Sequence, residues 1–85
     1  MKKTVVITGA SSGIGKSIAL LFAARGWNVA ATMRNPDKMC DFDNIPSIKK
    51  YTLDVTSFDS IKSALGAIMN DFSTIDVLVN NAGYG

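Results

Sequence analysis

The sequence predicts an α/β fold: a parallel sheet of about four strands, with helices on both faces in three αβα layers. Three observations carry that expectation. Short apolar runs, such as Val5-Val6-Ile7 and Val77-Leu78-Val79, alternate along the chain with stretches of helical periodicity. The runs lack polar alternation, so they read as strands covered on both faces. A glycine-rich turn, Gly9-Ala10-Ser11-Ser12-Gly13-Ile14-Gly15, lies directly between the first run and the first helical stretch. Right-handed crossovers between parallel strands then give the expected order 3-2-1-4, half of a doubly wound sheet.

The first strand is Val5 to Ile7, and its turn has the strand, glycine, helix order of a phosphate-binding βαβ unit. Gly9 lets the chain leave the strand sharply. Gly13 removes a Cβ where a pyrophosphate approaches the backbone, and Gly15 lets the helix pack close to the sheet. The helix N-terminus offers free N–H groups and the positive end of its dipole. The helix runs from about Ile14 to Arg25, with Ile14, Ile18, Leu21 and Phe22 at helical spacing and Ala19, Ala23 and Ala24 small enough for close packing. Lys16 falls in its first turn. Gly26 reads as the C′ stop, with Trp27 covering the helix end.

Asn28 to Met33 form the second strand. About 20 positions after the glycines, a carboxylate would bond the adenosine ribose hydroxyls and repel a 2′-phosphate. Met33-Arg34 stands there instead, and a guanidinium suits a phosphate in charge and fork geometry. Asn35-Pro36 predicts a short helix to about Asp43, with Asn35 as N-cap and Pro36 at N1. Asn44 to Ser47 form a loop. The third strand spans Ile48 to Val55, with Tyr51 and Leu53 on one face and Asp54-Val55 at its end. Thr56 and Asp59 form a capping pair. The helix they open runs to about Phe72, with Phe58, Ile61, Leu65, Ile68 and Met69 as its inner stripe. After Ser73-Thr74 comes the fourth strand, Asp76 to Val79, closed by Asn80-Asn81-Ala82-Gly83.

Thr8-Gly9-Ala10-Ser11-Ser12-Gly13-Ile14-Gly15 resembles the cofactor motif of the short-chain dehydrogenase/reductase family, and Asn80-Asn81-Ala82-Gly83 resembles that family's other N-terminal signature. The likeness extends over essentially all 85 residues. It implies a Rossmann-type domain whose N-terminal, incomplete portion is residues 1–85. Its implied cofactor is NADP (NADPH), with NAD the weaker candidate, because a basic residue after the second strand accompanies NADP preference and Arg34 matches it. The second basic residue of many NADP-preferring members is absent, since Ser12 stands before the second glycine. By the same resemblance Asp54 contacts the adenine amino group, Val55 flanks the ring, and Ala82-Gly83 runs beside the ribose and nicotinamide half. The cofactor set is therefore Gly9, Ser11, Ser12, Gly13, Ile14, Gly15, Arg34, Asp54, Val55, Asn81, Ala82 and Gly83.

The family's catalytic Ser and Tyr-x-x-x-Lys find no counterpart. Val55 stands four positions after Tyr51, and no residue stands four positions after Tyr84. No catalytic residue is assigned. The implied function is the NADP(H)-binding part of an oxidoreductase that transfers hydride between a carbonyl and an alcohol. A nucleotide-binding module without chemistry, or a non-functional truncation, is the alternative.

Composition narrows the classes. Nine basic and seven acidic residues are spread along the chain, and the lysine pairs are not runs, so no nucleic-acid or membrane patch is indicated. No metal site is expected, and histidine is absent. Met1-Lys2-Lys3 is followed by an apolar run that breaks at Thr8-Gly9, too short for a signal peptide. A single cysteine, Cys40, fits a reducing cytoplasm. The expected partners are the dinucleotide and a small carbonyl or alcohol substrate, with a homo-oligomer left open.

Overall fold

The computed structural model describes residues 2–11 and 13–81. Four parallel strands, β1 (Thr4–Ile7), β2 (Asn28–Met33), β3 (Ile48–Thr52) and β4 (Val77–Val79), lie in the order β3-β2-β1-β4. Helix α1 (Gly13–Ala24) and helix α2 (Phe58–Phe72) cover opposite faces. The expected fold class and strand order are both present.

Period-two alternation explains why the central strands show no polar face. Val5, Ile7, Val29, Ala31 and Met33 point to the α1 side and pack with Ala19 and Phe42. Val6 and Ala30 point to the α2 side and meet Ile68. Both sets are buried because both faces are covered.

Helix α1 stops where the sequence predicts. Gly26 has φ +85°, its N–H reaches the Ala23 carbonyl, and the Trp27 N–H reaches the Phe22 carbonyl, both at 3.1 Å. This is a Schellman ending, and its apolar contact is an edge-on Phe22–Trp27 pair 4.9 Å apart. Lys3 sits 5.9 Å above the Trp27 ring.

Several local expectations are corrected. The helix expected from Pro36 to Asp43 is a single 3₁₀ turn, Pro36–Lys38, and the Asn35 side chain makes no cap bond. The backbone turns extended at Met39, which is buried together with Phe42 under the sheet. Lys50 Nζ then donates to the Met39 carbonyl at 2.7 Å and pairs with Asp43 at 2.8 Å. These tertiary contacts outweigh a helix too short to sustain itself. Strand β3 ends at Thr52, so Asp54 and Val55 lie beyond it. The N-cap of α2 is Ser57, whose hydroxyl accepts from the Ser60 N–H at 3.2 Å, not a Thr56–Asp59 pair.

The inner stripe of α2 also differs. Ala64 and Ile68 are buried, with Phe72 packed beside them, whereas Phe58, Leu65 and Met69 are exposed. The helix has two apolar sides, and the sheet takes the one that meets Val6 and Ala30. Ile14 and Leu21 on α1 are likewise exposed. Tyr51 joins β3 to α2 by donating to Asp71 at 2.6 Å, and burial, then the Asp71 carboxylate, push its phenol pKa up.

The stripe assignment has a direct test. Ile68→Ala is expected to cost about 2–4 kcal/mol, the usual loss for an emptied aliphatic core site. Phe58→Ala is expected to stay within about 0.5 kcal/mol, as for exposed positions. Urea unfolding of the two variants measures both, and equal losses would contradict the assignment.

Candidate functional site at the carboxyl ends of the strands

The carboxyl ends of β1, β2 and β4 and the segment after β3 gather most of the residues that the sequence marks. The turn after β1 is fastened first. Gly9 has φ +65°, and the next residue, Ala10, is fully buried and donates to the Thr32 carbonyl on β2 at 3.0 Å. The Thr32 hydroxyl returns a bond to the Ile7 carbonyl at 2.9 Å. The turn is thereby held against β2 before α1 begins.

A second fastening reaches β4. The Thr8 N–H donates to the Val79 carbonyl at 3.0 Å. The Thr8 hydroxyl accepts from the Asn81 N–H at 2.8 Å and lies 3.3 Å from Asn80 Oδ1. Asn81 Nδ2 donates to the Gly9 carbonyl at 3.2 Å. Thr8 lies outside the cofactor set expected from sequence; Asn80, expected with Asn81 to bond backbone across to β1, instead faces the Thr8 hydroxyl with its side chain. The available signal was positional: a threonine before the first glycine, and an asparagine pair ending the neighbouring strand.

Gly15 explains why the third glycine is needed. A Cβ there would lie 2.2 Å from the Gly9 carbonyl oxygen and 2.6 Å from Asn81 Nδ2. The helix approaches so closely that only hydrogen fits. Gly13 is different: φ is +59°, and a Cβ would meet nothing within 4 Å. Its requirement is conformational, and open space lies before the loop, where an incoming ligand has room. Ser11, Gly13 and Ile14 are exposed beside it. The first turn of α1 carries no acidic residue, so no carboxylate of its own neutralises the positive end of the helix dipole. Lys16, in that turn, is paired with Asp41 of the β2–β3 connection.

The other pole of the site is the pair of strand ends after β2 and β3. The last bond between them runs from the Leu53 N–H to the Met33 carbonyl at 2.8 Å. Arg34 and Asp54 follow just beyond the two strands, with Arg34 Nη2 3.9 Å from Asp54 Oδ1. Asp54 Oδ1 also accepts from the Thr56 hydroxyl at 2.6 Å and from the Thr56 N–H at 3.0 Å. The two Thr56 bonds hold the Asp54 carboxyl below the usual carboxylate range, and Arg34 adds a smaller pull against partial desolvation. Val55 is half-buried. Ser12, Ala82 and Gly83, marked from sequence, lie outside the described residues.

The arrangement is a helix N-terminus with open backbone at Gly13, flanked by an exposed guanidinium at a neighbouring strand end. It offers directed N–H groups and positive charge to an anionic, elongated ligand. The family model described as short chain dehydrogenase matches residues 3–85.

The chain belongs to the short chain dehydrogenase family.

This family member is 42% identical over 82 residues to dehydrogenase/reductase SDR family member 6 of Danio rerio, covering 96% of this chain and 32% of that protein. It is 42% identical over 86 residues to the 3-oxoacyl-[acyl-carrier-protein] reductase FabG of Thermotoga maritima, covering 95% of this chain and 35% of the relative. Among solved structures, ElxO with NADP bound superposes with a TM-score of 0.87 at 38% identity, over 100% of this chain and 36% of that one. The chain thus spans about a third of the length of the relatives it matches. Among the described residues no helix is long and apolar enough to cross a membrane, and no cluster of potential metal ligands is present.

The two glycines after the turn are expected to fail differently. Gly15→Ala forces backbone to move and should cost about 1–3 kcal/mol or more. Gly13→Ala meets no obstacle but must hold a left-handed backbone, at a cost of about 1–2 kcal/mol. Denaturant midpoints give both losses.

Proposed function

We propose that these residues form the nicotinamide-dinucleotide-binding part of an oxidoreductase, with NADP(H) preferred over NAD(H). The observation that carries this reading is the convergence of Gly9, Gly13, Gly15 and the exposed Arg34 at neighbouring strand ends, in a chain whose structural relative ElxO was solved with NADP bound. The open backbone at Gly13 and the uncompensated start of α1 suit the pyrophosphate. Arg34 suits a 2′-phosphate, since no carboxylate occupies its position to favour the bare ribose. Asp54 and Val55 are assigned to the adenine, and Asn81, Ala82 and Gly83 to the path of the nicotinamide half.

When bound, the nicotinamide supplies or accepts a hydride, the chemistry of carbonyl–alcohol interconversion. The residues here bind and orient; a proton donor and a substrate pocket are further requirements of that chemistry. The reading therefore assigns residues 1–85 to the N-terminal portion of a larger catalytic domain. Two features support this. The matched relatives are about three times longer. Val77 and Leu78 of β4, which among the described residues pairs only with β1, are exposed, as are Ile14 and Leu21 of α1 and Leu65 and Met69 of α2. An open apolar strand edge and exposed apolar helix positions are surfaces that proteins usually cover with further structure.

Thermal unfolding of the intact protein with NADPH and with NADH tests the cofactor reading, because a ligand bound to the folded state raises its stability by mass action. NADPH is expected to raise the midpoint more than NADH. Arg34→Ala should weaken NADPH binding about tenfold, the scale of a lost charge-assisted contact, and leave NADH nearly unchanged. Equal shifts from both dinucleotides in the unsubstituted protein would refute the NADP preference.

A further inference from the structure

We propose that Asp54 restrains the 2′-phosphate selectivity of this site, by holding Arg34 and by keeping a fixed negative charge beside it. This rests on the assignment of Arg34 to the 2′-phosphate.

The two side chains are unequal partners. Asp54 is tied at four points: its carboxylate accepts from the Thr56 N–H and hydroxyl, its N–H donates to the Ser60 hydroxyl at 2.9 Å, and its carbonyl accepts from the Ser57 N–H at 3.0 Å. It is therefore part of the rigid entry to α2. The Arg34 side chain is 70% exposed and reaches Asp54 only at 3.9 Å. Any rearrangement on ligand binding falls on Arg34.

A phosphate that recruits the guanidinium must turn it from this carboxylate. It also brings its own negative charge to a point well within a Debye length of Asp54. Both effects oppose a 2′-phosphate, and neither opposes a ribose hydroxyl. Thr56 limits the restraint. It occupies Asp54 Oδ1 with two bonds, so the carboxylate is only partly available to Arg34. The triad Thr56–Asp54–Arg34 then sets selectivity by how far Thr56 diverts the carboxylate from the guanidinium.

The test uses two ligands that differ only in the 2′-phosphate, adenosine 2′,5′-bisphosphate and adenosine 5′-monophosphate, titrated calorimetrically into the intact protein. The readout is the ratio of their affinities. Loss of adenine contact or of local structure weakens both ligands together and leaves that ratio in place. Asp54→Asn is expected to raise the preference for the bisphosphate by roughly two- to fivefold, the scale of an exposed ion pair. Thr56→Val frees the carboxylate to turn to Arg34 and is expected to lower the preference. Arg34→Ala separates the two levels of the argument. If it abolishes the preference while Asp54→Asn leaves the ratio unchanged or lower, the restraint is refuted and the Arg34 assignment survives. If Arg34→Ala leaves the ratio unchanged, or the bisphosphate does not bind, both are refuted.

Discussion

The contact on which the rest depends is the approach of α1 to the Gly9 carbonyl. That oxygen accepts from Asn81 Nδ2, while the hydrogen of Gly15 occupies the space where any Cβ would collide with it. One backbone group thus joins the turn after β1, the start of α1 and the residues after β4. Moving any of them by the width of a methyl group breaks the arrangement. Buried polar groups are costly when unpaired, so the Thr8 and Asn81 bonds fix the geometry as well as stabilise it. The start of α1 is thereby tied to the ends of β1 and β4, the fixed placement that an anion site made of backbone N–H groups requires.

From that fixed point the sheet distributes roles by position. Parallel strands carry all their carboxyl ends to one edge, so residues far apart in sequence become neighbours: Thr8 with Asn81, Ala10 with Thr32, Arg34 with Asp54. The amino ends hold structural contacts instead. There the Thr4 N–H donates to Asp76 at 2.8 Å, and the Asp76 N–H donates to the Thr4 carbonyl at 2.9 Å. The β2–β3 connection belongs to neither edge's periodic structure. Phe42 and Met39 plug the core beneath it, and Lys50 and Lys16 hold it through Asp43 and Asp41.

Charge is used sparingly and locally. The described ion pairs of Lys16 with Asp41 and of Arg34 with Asp54 join segments 20 or more residues apart, that of Lys50 with Asp43 is nearer in sequence, and all retain solvent contact. Exposed pairs add little stability; their consequence here is to set where the cations point. The apolar surface is distributed differently. Ile14, Leu21, Leu65, Met69, Val77 and Leu78 are exposed although the periodicity of their elements is that of buried faces.

The backbone-level features are legible in consecutive residues. The apolar runs and their glycine punctuation fixed the strands, α1 and its Gly26 ending, because period and φ are properties of a few consecutive residues. Alternation of strands with helices fixed the parallel order, because right-handed crossovers leave few alternatives. The motif residues Gly9, Gly13 and Gly15 are legible from their spacing between a strand and a helix; Gly9 and Gly13 answer to a positive φ, Gly15 to the close approach of the Gly9 carbonyl and Asn81. Which side of α2 faces the sheet is set by packing, since Ile68 and Leu65 are equally apolar and only contact with Val6 and Ala30 separates them. The tertiary structure likewise set residues 39–43 as extended backbone and turn instead of a continued helix, Ser57 as the cap of α2, and Thr8 as the partner of Asn81. The meeting of Arg34 with Asp54 belongs to the same class. The Thr8–Asn81 and Arg34–Asp54 contacts each depend on a partner from another strand end, and no local pattern encodes a distance between two such ends.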